Sequence, residues 1–171
     1  MRPEFKYGLL TGAGVCLWIA AEYLLGFHTT HPRIGEYTGY FSTLIPLVFL
    51  YLLLRRKQSS AKDGRLTIRQ GIASGVVASF LAALIVYGFM LAYNRWIDPD
   101  WIDNALLVKV AAMRAKGIGE LQIRREITFY RNANSASGMI ATTVLAMTVV
   151  GAFFSLLLTI LLRFKKQRTA P

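Results

Sequence analysis

Arg55-Arg56-Lys57-Gln58-Ser59-Ser60-Ala61-Lys62-Asp63-Gly64-Arg65-Leu66-Thr67-Ile68-Arg69 is the stretch that decides the fold. Six basic residues crowd a short segment broken by serines, an aspartate and a glycine. The chain is strongly apolar on both sides, from Thr38 to Leu54 and from Ile72 to Tyr93. A short basic loop between two such segments reads as a cytoplasmic turn between membrane spans. Once that loop is placed, every other segment acquires a side.

Four stretches hold few or no charges: Tyr7 to Phe27, Thr38 to Leu54, Ile72 to Tyr93 and Gly138 to Leu162. Each is near or above the ~17–20 residues that a helix needs to cross ~30 Å of hydrocarbon. Of 171 residues, 54% are hydrophobic and only 17% charged, too apolar for an average soluble domain. Helices are expected because strands in lipid would have to close into a barrel, and no period-2 alternation supports one. The reading is therefore one all-α membrane domain with spans over about 7–27, 37–54, 70–93 and 138–162.

The net charge of +11 raises the question of nucleic acid. The distribution argues against it. Most basic residues flank apolar spans, where anionic headgroups account for them. Arg2, Lys6, the central loop, and Arg163, Lys165, Lys166 and Arg168 lie on one side. Arg33 and the basic residues from Arg95 to Arg131 lie on the other, and five acids accompany the latter group. Both termini are thus expected in the cytoplasm. Cys16, the single cysteine, excludes an intrachain disulfide. The first segment is too long for a cleaved signal and is read as a retained span.

Gly8, Gly12, Cys16 and Ala20 recur every fourth residue in the first span, and Gly71, Gly75, Ser79 and Ala83 do so in the third. Such stripes let helix backbones approach closely. The third-span ladder is expected to meet the first-span ladder or a second protomer. Pro46 lies within the second span and predicts a kink, because its ring removes the hydrogen bond to the Ser42 carbonyl.

Some forty residues from Asn94 to Ser137 look soluble. A structureless loop of that length is unusual. The segment reads as an external amphipathic helical hairpin over about 98–134. Asp98 is expected to cap the first helix, with Pro99 at its first position, and Gly117 to Gly119 to stop it. The second helix starts at Glu120, with Glu120 and Arg124 as an i,i+4 pair. A fifth span is disfavoured. Asp100, Asp103, Lys109, Arg114 and Lys116 would each cost roughly 2.5–3.5 kcal/mol at mid-bilayer.

Glu22 is the acidic residue within a span, which makes it a functional candidate by default. Proton-coupled exporters of four helices also carry a glutamate in the first span. The alternative, favoured by its position in the outer third, is a tether to His28, His31, Arg33 or Arg95. His28 and His31, with Glu36 nearby, have a spacing that a metal site can use, but no second ligand motif accompanies them. No metal and no cofactor is expected. No phosphate loop, nucleophile elbow or paired catalytic carboxylates are present, so no enzyme is expected either.

Glu22-Tyr23-Leu24-Leu25-Gly26-Phe27-His28, Tyr37-Thr38, Arg55-Arg56-Lys57, Gly71 through Gly75, Ile97-Asp98-Pro99-Asp100-Trp101 and the basic end together resemble the bacterial four-span membrane family known as domain of unknown function 4199. The resemblance covers nearly the whole chain and implies four spans and an outer loop with helices. It implies no activity. One departure is the lack of a proline between Gly71 and Tyr93. The functional expectation is a non-enzymatic accessory or interaction protein of the bacterial inner membrane. Its partners are the lipid bilayer and, through the hairpin or the small-residue faces, a protein neighbour or a second copy. The alternative is a small proton-coupled transporter using Glu22.

Overall fold

The computed structural model describes residues 1–27, 34, 37–61 and 65–167. Among them every regular element is helical. Helix α1 is Pro3–Leu24, α2 is Leu44–Ser60, α3 is Ile68–Ala92, α4 is Trp101–Ala115, α5 is Glu120–Ala133 and α6 is Ala146–Gln167. A 3-10 turn, Gly39–Thr43, leads into α2. Two π turns, Tyr93–Ile97 and Ile140–Leu145, end α3 and open α6.

Four long helices form the bundle. Helix α3 packs most extensively, with α1 on one side and α6 on the other, and α2 closes the ring against α1 and α6. Among the described residues three helical stretches are long and apolar enough to cross a membrane: Pro3–Leu24, Ile68–Ile97 and Ile140–Phe164. Only 28%, 28% and 22% of their most apolar windows are buried inside the protein, so most of that apolar surface points outward. Leu17, Val149 and Leu161 are among the large side chains left exposed. This is the construction of a membrane protein.

The second expected span, 37–54, is not one continuous α-helix. The chain runs as a 3-10 turn to Thr43, and α2 begins at Leu44. Pro46 therefore stands in the first turn of α2, where its missing N–H costs no helix bond. The expected mid-helix kink becomes a change of helix type, with the Leu44 N–H bonded to the Phe41 carbonyl. At 17 residues α2 is about 25 Å long, and its last turns carry Arg55, Arg56 and Lys57. Yet α2 and its turn accompany α1 for most of its length. Phe41 packs near Trp18, with ring centroids 6.4 Å apart, and Lys57 pairs with Glu4.

Two ends are set by glycine. Gly26 and Gly117 both have φ of 72°. After α1, Phe27 N–H bonds the Glu22 carbonyl and Gly26 N–H bonds that of Tyr23, both at 2.9 Å. After α4, Ile118 N–H bonds the Met113 carbonyl at 3.1 Å and Gly117 N–H that of Arg114 at 2.9 Å. Each is a Schellman motif, which needs a left-handed residue where glycine alone has no penalty. Helix α3 starts on a capping box. Gln70 N–H donates to Thr67 Oγ1 and Thr67 N–H to Gln70 Oε1, each at 3.2 Å.

The small-residue stripes find partners within the chain, but not each other. A Cβ on Gly71 would overlap Thr159, one on Gly75 would overlap Ser155, and one on Gly151 would overlap Ser79. The third-span ladder thus meshes with Gly151, Ser155 and Thr159 of α6, rather than with α1. Ser155 and Thr159 are fully buried and donate back to Gly151 O and Ser155 O at 2.7 and 2.6 Å, so close packing leaves no hydroxyl unsatisfied. Gly8 and Gly12 lie on a different side of α3, where their Cβ positions would fall 2.8 Å from Ala78 O and 2.9 Å from Ile85 Cβ.

Candidate functional site

Polar groups gather at both ends of the bundle. At the end formed by the start of α1, the end of α2 and the start of α3, Glu4 forms an ion pair with Lys57. Lys57 also donates to Ser74 Oγ at 2.7 Å, and Ser74 Oγ lies 3.3 Å from Glu4 Oε1. Ser74 is buried, and the Glu4 side chain is only 14% exposed. Gln58 of α2 donates to the Leu162 carbonyl of α6 at 3.2 Å, so all four helices are joined at this end. Beside it lies the apolar cluster of Leu50, Leu53, Leu54, Leu66, Ala78 and Leu162. The sequence reading missed this cluster. Its signal was available: an acid in the first turn of the first span and a lysine at the close of the second.

At the opposite end, Glu22 is buried, 5% exposed, near the end of α1. Next in sequence, the Tyr23 ring meets the Tyr93 ring edge-on at 5.8 Å, and Tyr23 Oη donates to the Ile97 carbonyl at 3.3 Å. The π turn explains how Tyr93 meets Asp98. Residues five apart diverge around an α-helix. Here Asp98 N–H bonds the Tyr93 carbonyl at 3.0 Å, which brings the two residues to one side. Tyr93 Oη then donates to Asp98 Oδ2 at 3.4 Å. Tyr93 and Asp98 are both buried. Asp98 is thus not the cap of α4. That position belongs to Asp100, whose side chain makes no capping bond. One buried carboxyl, that of Asp98, and two tyrosines therefore meet where α1 and α3 end, and Glu22 is buried one residue before Tyr23. Such groups can hold or pass a proton. His28 and His31, expected near Glu22, lie outside the described residues, as does Arg33. Among the described residues no group of three or more metal-ligating side chains forms.

The hairpin of α4 and α5 is braced from within. Asp103 pairs with Arg131 at 2.7 Å, Lys109 with Glu126 at 2.6 Å, and Arg114 with Glu120 at 2.9 Å. These rungs follow the antiparallel register of α4 and α5. Glu120 thus pairs across the turn with Arg114, not along its own helix with Arg124. The Arg114 guanidinium holds the Glu120 carboxyl below its ordinary value. Lys109 lies over the Tyr130 ring at 5.0 Å, and burial pushes the Tyr130 phenol up. Ile123 is buried on the inner face of α5, as is Leu106 on α4. At its base, Trp101 Nε1 donates to Asn94 Oδ1, tying α4 to the π turn of α3.

A family model described as a protein of unknown function, DUF4199, matches residues 6–163. No curated protein and no solved structure matches the chain.

Proposed function

Since the chain belongs to the DUF4199 family, of unknown function, we propose that it is a non-enzymatic accessory protein of the bacterial inner membrane that contacts a protein neighbour through its external hairpin. In this reading the protein crosses the bilayer four times, with α2 and its 3-10 turn as the second crossing and both termini in the cytoplasm. The Trp18–Phe41 and Glu4–Lys57 contacts support a crossing by α2, because they align it with α1 over about 21 Å. The basic loop and tail support the orientation.

The observation that carries the reading is the hairpin's construction. Three interhelical ion pairs and a Schellman turn hold it in one shape, while Leu107 of α4 stays 71% exposed. A stiff external element with an outward apolar side chain suits recognition, because little ordering is left to be done on binding. The test places a photo-crosslinking residue at Leu107 in cells. One specific protein adduct is expected, absent when the probe replaces Leu17 on the apolar surface of α1. Adducts with lipid alone would defeat the reading.

A second reading is a small proton-coupled transporter. It is favoured by the burial of Glu22 at the end of the bundle where Tyr93 pairs with Asp98. Glu22→Gln would then abolish export of cationic compounds; unchanged export removes this reading.

A further inference from the structure

The outward face of α5 is built unlike the rest of the hairpin. Leu121, Arg125 and Phe129 recur every fourth residue, flanked by Arg124, Thr128 and Asn132, and together they line one shallow groove. This face lies opposite Ile123, which is buried inside the hairpin. Leu121 is 67% and Phe129 65% exposed. No acidic side chain joins the groove. The two acids of α5, Glu120 and Glu126, are engaged by Arg114 and Lys109. Among the described residues Arg124 and Arg125 form no ion pair within 4.0 Å.

The end of α5 is anchored on the membrane-spanning helices. Thr142 Oγ1, inside the Ile140–Phe164 stretch, donates to the Ala133 carbonyl at 3.1 Å. Tyr87 of α3 donates to the Ala136 carbonyl at 3.2 Å. Gly138 is pressed so closely on the Asn132 carbonyl that a Cβ there would overlap it. Phe129 stands one helical turn before Ala133, and Arg125 one turn before Phe129. An exposed aromatic therefore lies close to where the apolar span begins, with guanidinium groups just beyond it. That order matches a bilayer surface, where acyl chains give way to phosphates.

We propose that this face of α5 docks on anionic phospholipid headgroups. Phe129 seats at the boundary of the acyl chains. Arg124 and Arg125 grip phosphate through paired N–H donors, a geometry that suits guanidinium and phosphate. The docking holds this face against the headgroups and leaves Leu107 of α4 for a protein partner. It rests on the membrane-spanning helices and needs no partner to be correct.

The test uses the full chain in lipid nanodiscs. Thr128→Cys, in a Cys16→Ser background, carries an environment-sensitive fluorophore, and brominated acyl chains serve as quenchers. Strong quenching is expected in phosphatidylglycerol discs and weak quenching in phosphatidylcholine discs, with added salt reducing the difference. Each arginine removed should lower the docking equilibrium by roughly fivefold, so the Arg124→Gln/Arg125→Gln variant should resemble the protein in neutral lipid. Both side chains are exposed, and glutamine keeps the helix, so folding is retained. Equal quenching in the two lipids, or quenching unchanged in the double variant, overturns the proposal. So does a probe that stays unquenched in lipid but shifts when an acidic peptide is added, which would assign the face to protein.

Discussion

Gly75 and Ser155 face each other across the α3–α6 seam with no room for another carbon: a Cβ on Gly75 would overlap Ser155 Oγ and lie 2.5 Å from its Cβ. Gly75→Ala should therefore push the helices apart and cost about 1–3 kcal/mol by overpacking. Gly75→Ala with Ser155→Gly should recover much of that loss. Gly88 is the control, since nothing lies within 4 Å of its Cβ position. Gly88→Ala in mid-helix should be neutral, or stabilising by about 0.5–1 kcal/mol. Thermal unfolding in detergent reads all four proteins, and equal losses at Gly75 and Gly88 would contradict the seam.

The Glu4–Lys57 pair yields a different signature. Lys57→Met leaves the poorly exposed Glu4 carboxylate without its cation and should cost about 1–3 kcal/mol. Glu4→Gln with Lys57→Met should cost less than Lys57→Met alone, because no charge then lacks a partner. A double-mutant cycle on unfolding midpoints measures the coupling. Simple additivity would mean that the pair does not bind α1 to α2.

Gly117 tests the hairpin turn. Its φ of 72° is left-handed, and nothing crowds its Cβ position. Gly117→Ala should cost about 1–2 kcal/mol through backbone conformation alone. Gly119, with φ of −67°, is equally open, and Gly119→Ala should leave the turn intact. Amide exchange at Gly117 and Ile118 distinguishes the two variants.

Acid should loosen the same turn. The Glu120 carboxyl is held down by Arg114, first through the hydrogen bond and then through its charge. Its stabilising contribution is therefore present above the ordinary glutamate value of 4.5 and is lost as pH falls through the lowered folded value. The protection of the α5 amides, taken relative to the intrinsic exchange rate at each pH, should fall in that acidic window. Glu120→Gln should remove the acid-dependent part and leave the lower protection at neutral pH.

Much of the architecture was legible in one dimension. Apolar length marked the stretches that became α1, α3 and α6, and the glycines at 117 and 119 separated the hairpin helices near where they part. The four-residue spacing of Gly71, Gly75 and Ser79 announced a close helix contact. These features depend on neighbours along the chain: on how many apolar residues run together, and on where a left-handed turn is tolerated.

Tertiary structure decided which surfaces met. Periodicity says that a face is small but not which helix will fill it, and Gly75 found Ser155 because α6 carries a matching stripe at the same four-residue interval. Glu120 had a cation within its own helix and another across the turn; the hairpin's register brought Arg114 within 2.9 Å. Asp98 reads locally as a helix cap, yet a π turn brings it beneath Tyr93 and buries it. Local sequence sets what each helix can offer. The folded packing selects among those offers, because complementarity between two surfaces is a property of neither one alone.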